Sequence, residues 1–575
     1  MKKRHLLFPL LLFALTAGAA ERTPSDMQAI AARYLSKAMG VKAQNGNAVV
    51  PVNTRCAFED KAYAVFTPQT DDAFVIVSKS NLVSPVLGYS QSRFDASHMP
   101  DGLRWYLSVV GRNIEQAEVE QKPLQTTSRR VATTPVSPFI TTLWHQSDPY
   151  NLYTPNNYPA GCVAVAMAQC INYNRYPGRV KFKGYCYYTK TNNTTRLTVD
   201  SLDISGIYFY PFLDMYGRAT EGQKKSVATL VRDCGYATYM QYSNTGSGTY
   251  NYMAGIGLVS CFNYPEECVK IAERRCFTSP DEWNELIYRE LQSMSPIIYG
   301  GQDEEDGGHA FVLCGLDTNG LVYINWGWGG DSDGYYDIAL MNPPGLEFSS
   351  DQNMIYGIRT KALSYDRVEP RIYSNDYEPY TFSFNREKDE DGVEHQTIHI
   401  RSTAGFFNMT PTTFDGEFGI YGTDLTTGEP WEIKETDPMT WGPGVGYFLN
   451  EPADLFYYYV EDRLIPGHTY CLSFGTRDKR EGEWHSIIAD GGEVAYNVYF
   501  TGDSLTTTFS ERVLPAAIRQ VSASNTLHAD GFTRVFDLQG RMLYAVPTER
   551  FNLWDVPARG ALIVKEGDKV RKVVR

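Results

Sequence analysis

The hydrophobic residues of the N-terminal region follow first a helical spacing and then a strand-like spacing. Between Met27 and Met39 the apolar positions recur at i, i+3 and i+4, as on one face of an α-helix. The short apolar runs 62–66 and 73–77 are typical of buried strands, and residues 102–119 return to helical spacing. This order predicts a small α+β unit at the start of the chain.

The region from residue 139 to about 361 has helical patterns in its first part and strand patterns in its second. Helices are predicted near Cys162 and over 223–234. The predicted strands are 296–299, 310–316, 321–326 and 335–338. A helical half followed by a strand-rich half predicts two subdomains with a cleft between them.

Beyond about residue 362 the sequence consists of short apolar runs separated by Gly, Pro, Asp and Asn. This is the pattern of antiparallel strands joined by tight turns. We expect a β-sandwich-like module over 363–510 and a smaller β segment over 511–575.

Two segments lack the pattern of a folded domain. Residues 1–20 combine a basic start with an apolar run and a closing Ala-Gly-Ala-Ala, which is typical of a signal peptide. The apolar run is short for a membrane span, although a retained N-terminal anchor is the alternative. Residues 123–137 are rich in Thr, Ser, Pro and Arg, which indicates an exposed linker open to proteolysis. We therefore expect the N-terminal unit to be removable; the alternative is a permanent domain on a flexible tether.

The overall charge restricts the class of partner. Among 575 residues, 67 Asp and Glu outnumber 53 Lys and Arg, so the formal net charge is −14 at pH 7. This sign is unfavourable for binding nucleic acid or an anionic membrane surface. No second run of about 18 apolar residues is present, and we expect no stable membrane insertion.

Ten cysteines are present, and eight of them lie between positions 162 and 314. No pair has the CxxC spacing of a structural zinc site, and we expect neither a metal ion nor another cofactor. An exported protein can form disulfides, but the spacing does not assign partners.

Cys162 follows Gly161 and opens a segment of small residues with helical spacing. At a helix N-terminus a thiol lies near free backbone N–H groups and the positive end of the macrodipole. Both favour the thiolate, which is the nucleophilic form. The sequence therefore predicts a nucleophile with a lowered pKa; the alternative is a buried structural cysteine.

His309 lies between a Gly-Gly pair and an apolar run, where the start of a strand can present an imidazole to a cleft. We expect it to be the general base toward the thiol and the acid toward the leaving amine. Asn325 would hold the far imidazole nitrogen, with Asp317 as the alternative partner, and Trp326 would shield that contact from water. A nucleophile, a base and an orienting amide predict thiol-dependent acyl transfer.

Gln146 is a neutral amide donor ahead of the nucleophile, suited to an oxyanion hole together with the backbone N–H of Cys162. The adjacent His145 is an alternative base. Glycines beside His309 would let a substrate backbone approach the wall of the cleft. The candidate substrate-binding glycines are Gly300, Gly301 and Gly308.

Several motifs of the central region are similar to those of the streptopain family of secreted bacterial cysteine peptidases. The motifs are Trp144-His145-Gln146 with Pro149-Tyr150-Asn151, Gly161-Cys162-Val163-Ala164 with Ala166-Met167-Ala168-Gln169, Gly308-His309-Ala310-Phe311-Val312, and Asn325-Trp326-Gly327-Trp328-Gly329-Gly330. Residues 74–95 are similar to the family's inhibitory propeptide. Ala160 stands where the family usually has Thr, and the segment from Gln146 to Cys162 is short, so we expect a differently shaped cleft with the same catalytic groups.

The resemblance implies an α+β protein with a papain-like, two-subdomain catalytic domain. It implies that Cys162 is the nucleophile, His309 the base and Gln146 the oxyanion donor, while Asn325 and Trp326 support the histidine. It also implies endopeptidase action on protein or peptide substrates with a bulky apolar P2 residue, and inhibition by the chain's own propeptide.

The domain order expected on this basis has five parts. They are a signal peptide over 1–20, a small α+β inhibitory propeptide over 21–132, the papain-like catalytic domain over 133–362, the β-sandwich-like module over 363–510 and a C-terminal segment over 511–575. The last segment, through Asp537-Leu538-Gln539-Gly540-Arg541, is similar to the C-terminal sorting domains of type IX-secreted proteins. This similarity implies a secreted or cell-surface location.

The main hypothesis is thus a secreted zymogen of a cysteine endopeptidase. One alternative is an extracellular binding or adhesion protein with an inactive thiol domain, although the intact set of candidate catalytic residues argues against it. Another alternative is a different acyl-transfer enzyme, such as an amidase or a transglutaminase.

Overall fold

One long sheet continues through the N-terminal and central regions of the protein, whose structure is a computed structural model. It describes residues 21–38, 52–124, 134–178, 180–190, 193–203, 219–277, 279–303, 307–342, 352–388, 390–460, 463–509, 532–536, 542–547, 561–566 and 569–574. The predicted signal peptide and most of the predicted linker lie outside these residues.

The N-terminal unit is built in the order that the spacing predicted, with a helix on each side of four strands. Its elements are α1 (Pro24–Ala38), β1 (Thr54–Glu59), β2 (Tyr63–Pro68), β3 (Phe74–Ser78), β4 (Val86–Ser90) and α2 (Asp101–Glu120). The stripe Met27, Ala31 and Leu35 of α1 is buried against β3, where Val75 and Val77 line the same small core.

The central region has the predicted helices and strands, with additional elements between them. They are α3 (Cys162–Asn174), β5 (Lys181–Lys190), β6 (Asn193–Asp203), α4 (Glu221–Ala237), β7 (Gln241–Tyr242), α5 (Tyr252–Ser260), β8 (Lys270–Glu273), α6 (Pro280–Gln292), β9 (Ile297–Asp303), β10 (Gly307–Leu316), β11 (Val322–Asn325), β12 (Gly334–Tyr336) and β13 (Asn353–Tyr356), with short 3₁₀ helices at Pro155–Asn157, Arg274–Cys276 and Ile338–Met341. The α3 helix is buried on almost every side, which explains its run of small and apolar residues.

Strand pairing joins the two units into one sheet of ten strands, in the order β1-β2-β3-β4-β12-β11-β10-β9-β13-β8. The β4 strand of the N-terminal unit pairs antiparallel with β12, so that Tyr89 lies opposite Tyr335. Of these ten strands the sequence predicted β2, β3 and β9 to β12 but missed β1, β4, β8 and β13. It did not predict the shared sheet, because pairing between distant segments leaves no periodic signal in either of them.

The C-terminal region is all β, as its turn-rich pattern predicted. Its strands are β14 (Ile372–Tyr373), β15 (Tyr380–Lys388), β16 (Glu394–Ser402), β17 (Gly405–Asn408), β18 (Phe414–Asp424), β19 (Pro430–Glu432), β20 (Asp437–Trp441), β21 (Gly446–Phe448), β22 (Ala453–Tyr459), β23 (Thr469–Asp478), β24 (Trp484–Ser486), β25 (Ile488–Ala489), β26 (Gly492–Glu493), β27 (Tyr496–Phe500) and β28 (Leu505–Phe509). Three sheets enclose an aromatic-rich core of their own. A separate sheet follows, formed by β29 (Phe532–Phe536), β30 (Met542–Pro547), β31 (Ala561–Glu566) and β32 (Lys569–Val574).

All ten cysteines are unpaired, and seven of them are buried. Among the described residues, no helix combines the length and the apolar character needed to cross a membrane.

Candidate active site

Cys162 is the first residue of α3, and the backbone before it has a conformation that requires glycine. Gly161 has a φ of +88°, and a Cβ at this position would lie 2.7 Å from the Met240 sulfur and 3.1 Å from the Ser247 carbonyl oxygen. The thiol is partly buried and accepts hydrogen bonds from the backbone N–H groups of Val163 and Ala310. The sulfur of the helical half therefore touches β10 of the strand-rich half.

His309 immediately precedes Ala310 on β10, so the chain brings the predicted nucleophile and the predicted base to neighbouring positions. His309 is partly buried and lies opposite Gly301 of β9. Directly opposed residues of an antiparallel pair project to the same face of a sheet. A Cβ on Gly301 would lie 2.1 Å from the Trp105 indole, so α2 of the N-terminal unit covers the face that carries His309.

Burial raises the pKa of the Cys162 thiol, and the backbone N–H groups only partly oppose this shift. The Asp101 carboxylate at the start of α2 also raises it. The prediction of a lowered pKa from the helix N-terminus is therefore wrong for the full chain, since loss of water outweighs the local N–H groups. With the N-terminal unit in place, the neutral thiol is favoured.

Asn325 is buried at the end of β11 in a polar cluster beneath the site. Its Nδ2 donates to the Thr142 carbonyl oxygen at 2.8 Å, and its Oδ1 accepts from Gln169 Nε2 at 3.1 Å and from the Gly327 N–H at 3.0 Å. Within the described part of the chain its partners are these groups and not the His309 imidazole. The sequence missed the roles of Thr142 and Gln169, although a glutamine within the otherwise small and apolar run 162–171 of α3 was a usable signal.

Trp326 is buried, and both its backbone N–H and its indole N–H donate hydrogen bonds. The backbone N–H donates to Asp333 Oδ1 at 2.8 Å, and the indole Nε1–H donates to the Ser332 carbonyl oxygen at 3.0 Å. Burial raises the pKa of Asp333 to about 8. The indole packs on Phe311 with ring centroids 4.8 Å apart, and a Cβ on Gly102 of α2 would lie 2.7 Å from it. The predicted tryptophan is therefore also covered by the N-terminal unit.

Gln146 lies in the segment that closes over the start of α3. Its carbonyl oxygen accepts from the Ala160 N–H at 2.9 Å, which holds this partly exposed residue beside the Ala160–Cys162 segment. His145 Nδ1 accepts from the Ser147 N–H at 3.0 Å, and its ring meets Trp328 edge to face at 5.4 Å. Burial lowers the pKa of His145.

The remaining candidates occupy different surroundings. Asp317 accepts from the N–H groups of Asn319 and Leu321 in the turn after β10, at the opposite end of that strand from His309. Gly300 faces Asn251, where a Cβ would lie 2.7 Å from the side-chain amide, and Gly308 is exposed. In the described residues, no three His, Cys, Asp or Glu side chains are grouped so as to hold a metal ion.

Family models match both units that form the ten-stranded sheet. The model described as "Peptidase C10 family" matches residues 144–336, and the model described as "Spi protease inhibitor" matches residues 22–114. The first contains Cys162 and His309, and the second contains α1 and most of α2, including Trp105.

Individual relatives cover these same regions. Streptopain of Streptococcus pyogenes is 30% identical over 320 residues, which cover 50% of this chain and 78% of streptopain. The thiol protease/hemagglutinin PrtT of Porphyromonas gingivalis is 29% identical over 344 residues, which cover 54% of this chain. This chain spans only 38% of the length of PrtT.

Solved structures from Prevotella intermedia are also similar. A prointerpain A fragment has 32% identity and a TM-score of 0.48, covering 54% of this chain and 99% of that one. The active interpain A cysteine protease has 35% identity and a TM-score of 0.34, covering 40% of this chain and 96% of that one. The match to streptopain, together with the two family models, decides the assignment: the chain belongs to the peptidase C10 family and carries an inhibitor domain ahead of its peptidase domain, which is the arrangement of a cysteine peptidase zymogen.

Proposed function

We propose that the chain is exported as the latent precursor of a cysteine endopeptidase that cleaves protein substrates through Cys162. The observation that carries the proposal is the contact of the Cys162 sulfur with the N–H of Ala310, next to His309. This contact supports the proposal because it brings a helix-terminal thiol next to a histidine-bearing strand, as a nucleophile and its base require.

The reaction follows from the groups at this cleft. His309 takes the thiol proton, and the Cys162 sulfur adds to the carbonyl carbon of the scissile peptide. The oxyanion that forms is held by the Cys162 N–H and the Gln146 side-chain amide. Its collapse breaks the C–N bond, the leaving amine takes the proton from His309, and a thioester remains on Cys162.

Hydrolysis of the thioester restores the enzyme. His309 takes a proton from water, and the resulting hydroxide attacks the thioester carbonyl. The second oxyanion collapses with release of the carboxylic acid, and the thiolate recovers the proton from His309. Asn325 and Trp326 are assigned to the support of His309 in the active form, which differs from the full chain because α2 has left the site.

Substrate preference and location follow from the family resemblance. We expect a bulky apolar P2 residue in substrates, bound near Gly300 and Gly301 on the cleft wall. We also expect the precursor to be exported through its N-terminal segment and to lose its N-terminal unit by cleavage within residues 123–137. The C-terminal β segment is assigned to sorting to the cell surface.

Substitution of the nucleophile tests the proposal. After removal of the N-terminal unit, Cys162→Ala should lower casein hydrolysis by on the order of 10⁴-fold or more, because no thioester can form. Cys471→Ala, at another partly exposed cysteine outside the peptidase domain, is the matched control and should leave hydrolysis unchanged.

The products and the variants together separate the alternatives. Mass spectrometry should show internal cleavage of casein rather than release of ammonia or cross-linking, which an amidase or a transglutaminase would give. Hydrolysis retained by Cys162→Ala would reject the assigned nucleophile. A wild-type chain without activity after removal of the N-terminal unit would favour a binding protein.

A further inference from the structure

The turn at residues 145–147 has an unusual acceptor. The His145 ring nitrogen Nδ1 accepts the backbone N–H of Ser147 at 3.0 Å, two residues ahead in the chain. Asn and Asp side chains commonly make this type of bond, and it fixes the backbone of the residue between. In this turn the residue between is Gln146, the assigned oxyanion donor.

The other contacts of this segment anchor it to both sides of the site. The Gln146 carbonyl oxygen accepts from the Ala160 N–H at 2.9 Å, and the Gly329 N–H donates to the Trp144 carbonyl oxygen at 3.1 Å. The His145 ring meets Trp328 edge to face at 5.4 Å. The carbonyl groups of Trp144 and Gln146 are therefore anchored, and the Ser147 carbonyl oxygen accepts from the Tyr150 N–H at 2.9 Å. The bond from the Ser147 N–H to the His145 ring is the side-chain contact that closes the turn.

This bond exists only when the imidazole is neutral. An imidazolium carries a hydrogen on both ring nitrogens and cannot accept through Nδ1. The Nδ1 contact therefore places the single proton of the neutral ring on Nε2, which excludes His145 as a base through Nδ1. The 326–333 loop packs on the His145 ring through Trp328, which is uncharged. From that loop, the charged side chain that acts on His145 is Asp331.

We propose that His145 is a positioning residue whose neutral ring holds the turn that aims the Gln146 amide at the oxyanion. Protonation of Nδ1 breaks the bond to Ser147 and releases the turn, so the oxyanion donor is lost on acidification while Cys162 and His309 are untouched. The proposal depends on the proposed function, because it assigns a role within the same reaction.

Two variants separate the acceptor from the packing. His145→Asn keeps an acceptor for the Ser147 N–H and removes the titrating group. His145→Phe keeps an aromatic ring on Trp328 and removes the acceptor. His145→Phe should lower kcat by about tenfold or more, up to the roughly 10²–10³-fold typical of complete loss of an oxyanion donor, with little change in KM.

The pH profile is the decisive measurement. In the wild-type enzyme without its N-terminal unit, we expect kcat to begin to fall at a higher pH than the rate of Cys162 alkylation by iodoacetamide. Alkylation needs the thiolate but no oxyanion hole. His145→Asn should keep the kcat of the wild type at neutral pH and extend it to lower pH, with the alkylation profile unchanged. His395→Asn, in the C-terminal module, is the control and should change neither profile.

Two results would overturn the proposal: a wild-type kcat in His145→Phe, or an acid limb in His145→Asn that coincides with that of the wild type. If His145→Phe does not fold, the profile of His145→Asn decides alone. Failure of the proposed function is recognised separately, because either the wild type would show no hydrolysis after removal of its N-terminal unit or Cys162→Ala would retain it, whatever the His145 variants show.

Discussion

The peptidase domain is held on two sides by different kinds of contact. On one side, β4 of the N-terminal unit extends its sheet, and Trp105 packs on Phe311 with ring centroids 6.0 Å apart. On the other side, the C-terminal module adds a smaller apolar contribution and is joined by ion pairs. Arg275 Nη1 lies 2.5 Å from Asp490 Oδ1, and the backbone carbonyl oxygen of Arg275 accepts from the Gly491 N–H.

Of the two contacts, only the one with the N-terminal unit reaches the candidate catalytic residues. Trp105 is fully buried and lies on the sheet face that carries His309, and Asp101 of the same helix acts on the Cys162 thiol. The Arg275 junction, formed by Arg275, Asp490 and Gly491, lies on the other side and contacts neither His309 nor Cys162. We infer that the first contact maintains latency and must be released, whereas the second only fixes the position of the C-terminal module.

Removal of the Trp105 side chain is expected to have the largest effect. In the full chain carrying Cys162→Ala, Trp105→Ala should weaken docking of the N-terminal unit by about 3–5 kcal/mol, since it leaves a large cavity over Gly301. Hydrogen exchange of the α2 amides should rise by about 10²–10⁴-fold.

Val119→Ala provides the control on the same helix, because Val119 is 80% exposed. Its exchange should match that of the parent chain. Equal exchange in the Trp105 and Val119 variants would show that latency does not depend on the aromatic contact.

Breaking the other junction should have a smaller and separate effect. Arg275→Met leaves Asp490 and the Ser374 carbonyl oxygen without their guanidinium donor and should destabilise the junction by about 1–3 kcal/mol. Hydrogen exchange should rise around residues 488–493 and stay unchanged in α2. Arg275→Lys should show a smaller loss, since it keeps the charge but not the planar fork. Faster exchange in α2 would contradict the independence of the two contacts.

The helices and the chemistry of the site could be predicted from the sequence, but the docking of the N-terminal unit could not. The helices α2 and α3 were predictable because their apolar spacing is local, and the motifs around Cys162 and His309 indicated a thiol peptidase. The docking of α2 over Gly301 was not predictable, because it brings together residues almost two hundred positions apart whose complementarity is steric.

The electrostatics of the site were hidden for a related reason. A helix N-terminus predicts a lowered thiol pKa from local N–H groups, whereas burial and a carboxylate from α2 reverse that direction at Cys162. Likewise, the motif around Asn325 suggested a histidine partner, but its surroundings place Thr142 and Gln169 on its amide. Local patterns identify the groups, and only the fold decides what each of them faces.

The raised pKa of Cys162 predicts how alkylation depends on pH. In the full chain, half-maximal reaction with iodoacetamide should require a pH above the ordinary thiol range near 8.5, and removal of the N-terminal unit should lower it. The sign follows from linkage: docking favours the protonated thiol, so it is strongest below the ordinary pKa and weakens as pH rises through the raised value. Mass spectrometry of each cysteine measures the rates, with Cys471 as the internal reference.

Within the same measurement, Asp101→Asn should give the smallest effect, because the carboxylate contributes less to the raised pKa of Cys162 than burial does. The half-maximal pH should fall below that of the full chain but stay above that of the chain without its N-terminal unit. Glu115→Gln removes an equal charge from an exposed position of α2 and is the matched control. Equal shifts in the two variants would mean that the net charge of the helix, rather than the proximity of Asp101 to the sulfur, couples the N-terminal unit to the nucleophile.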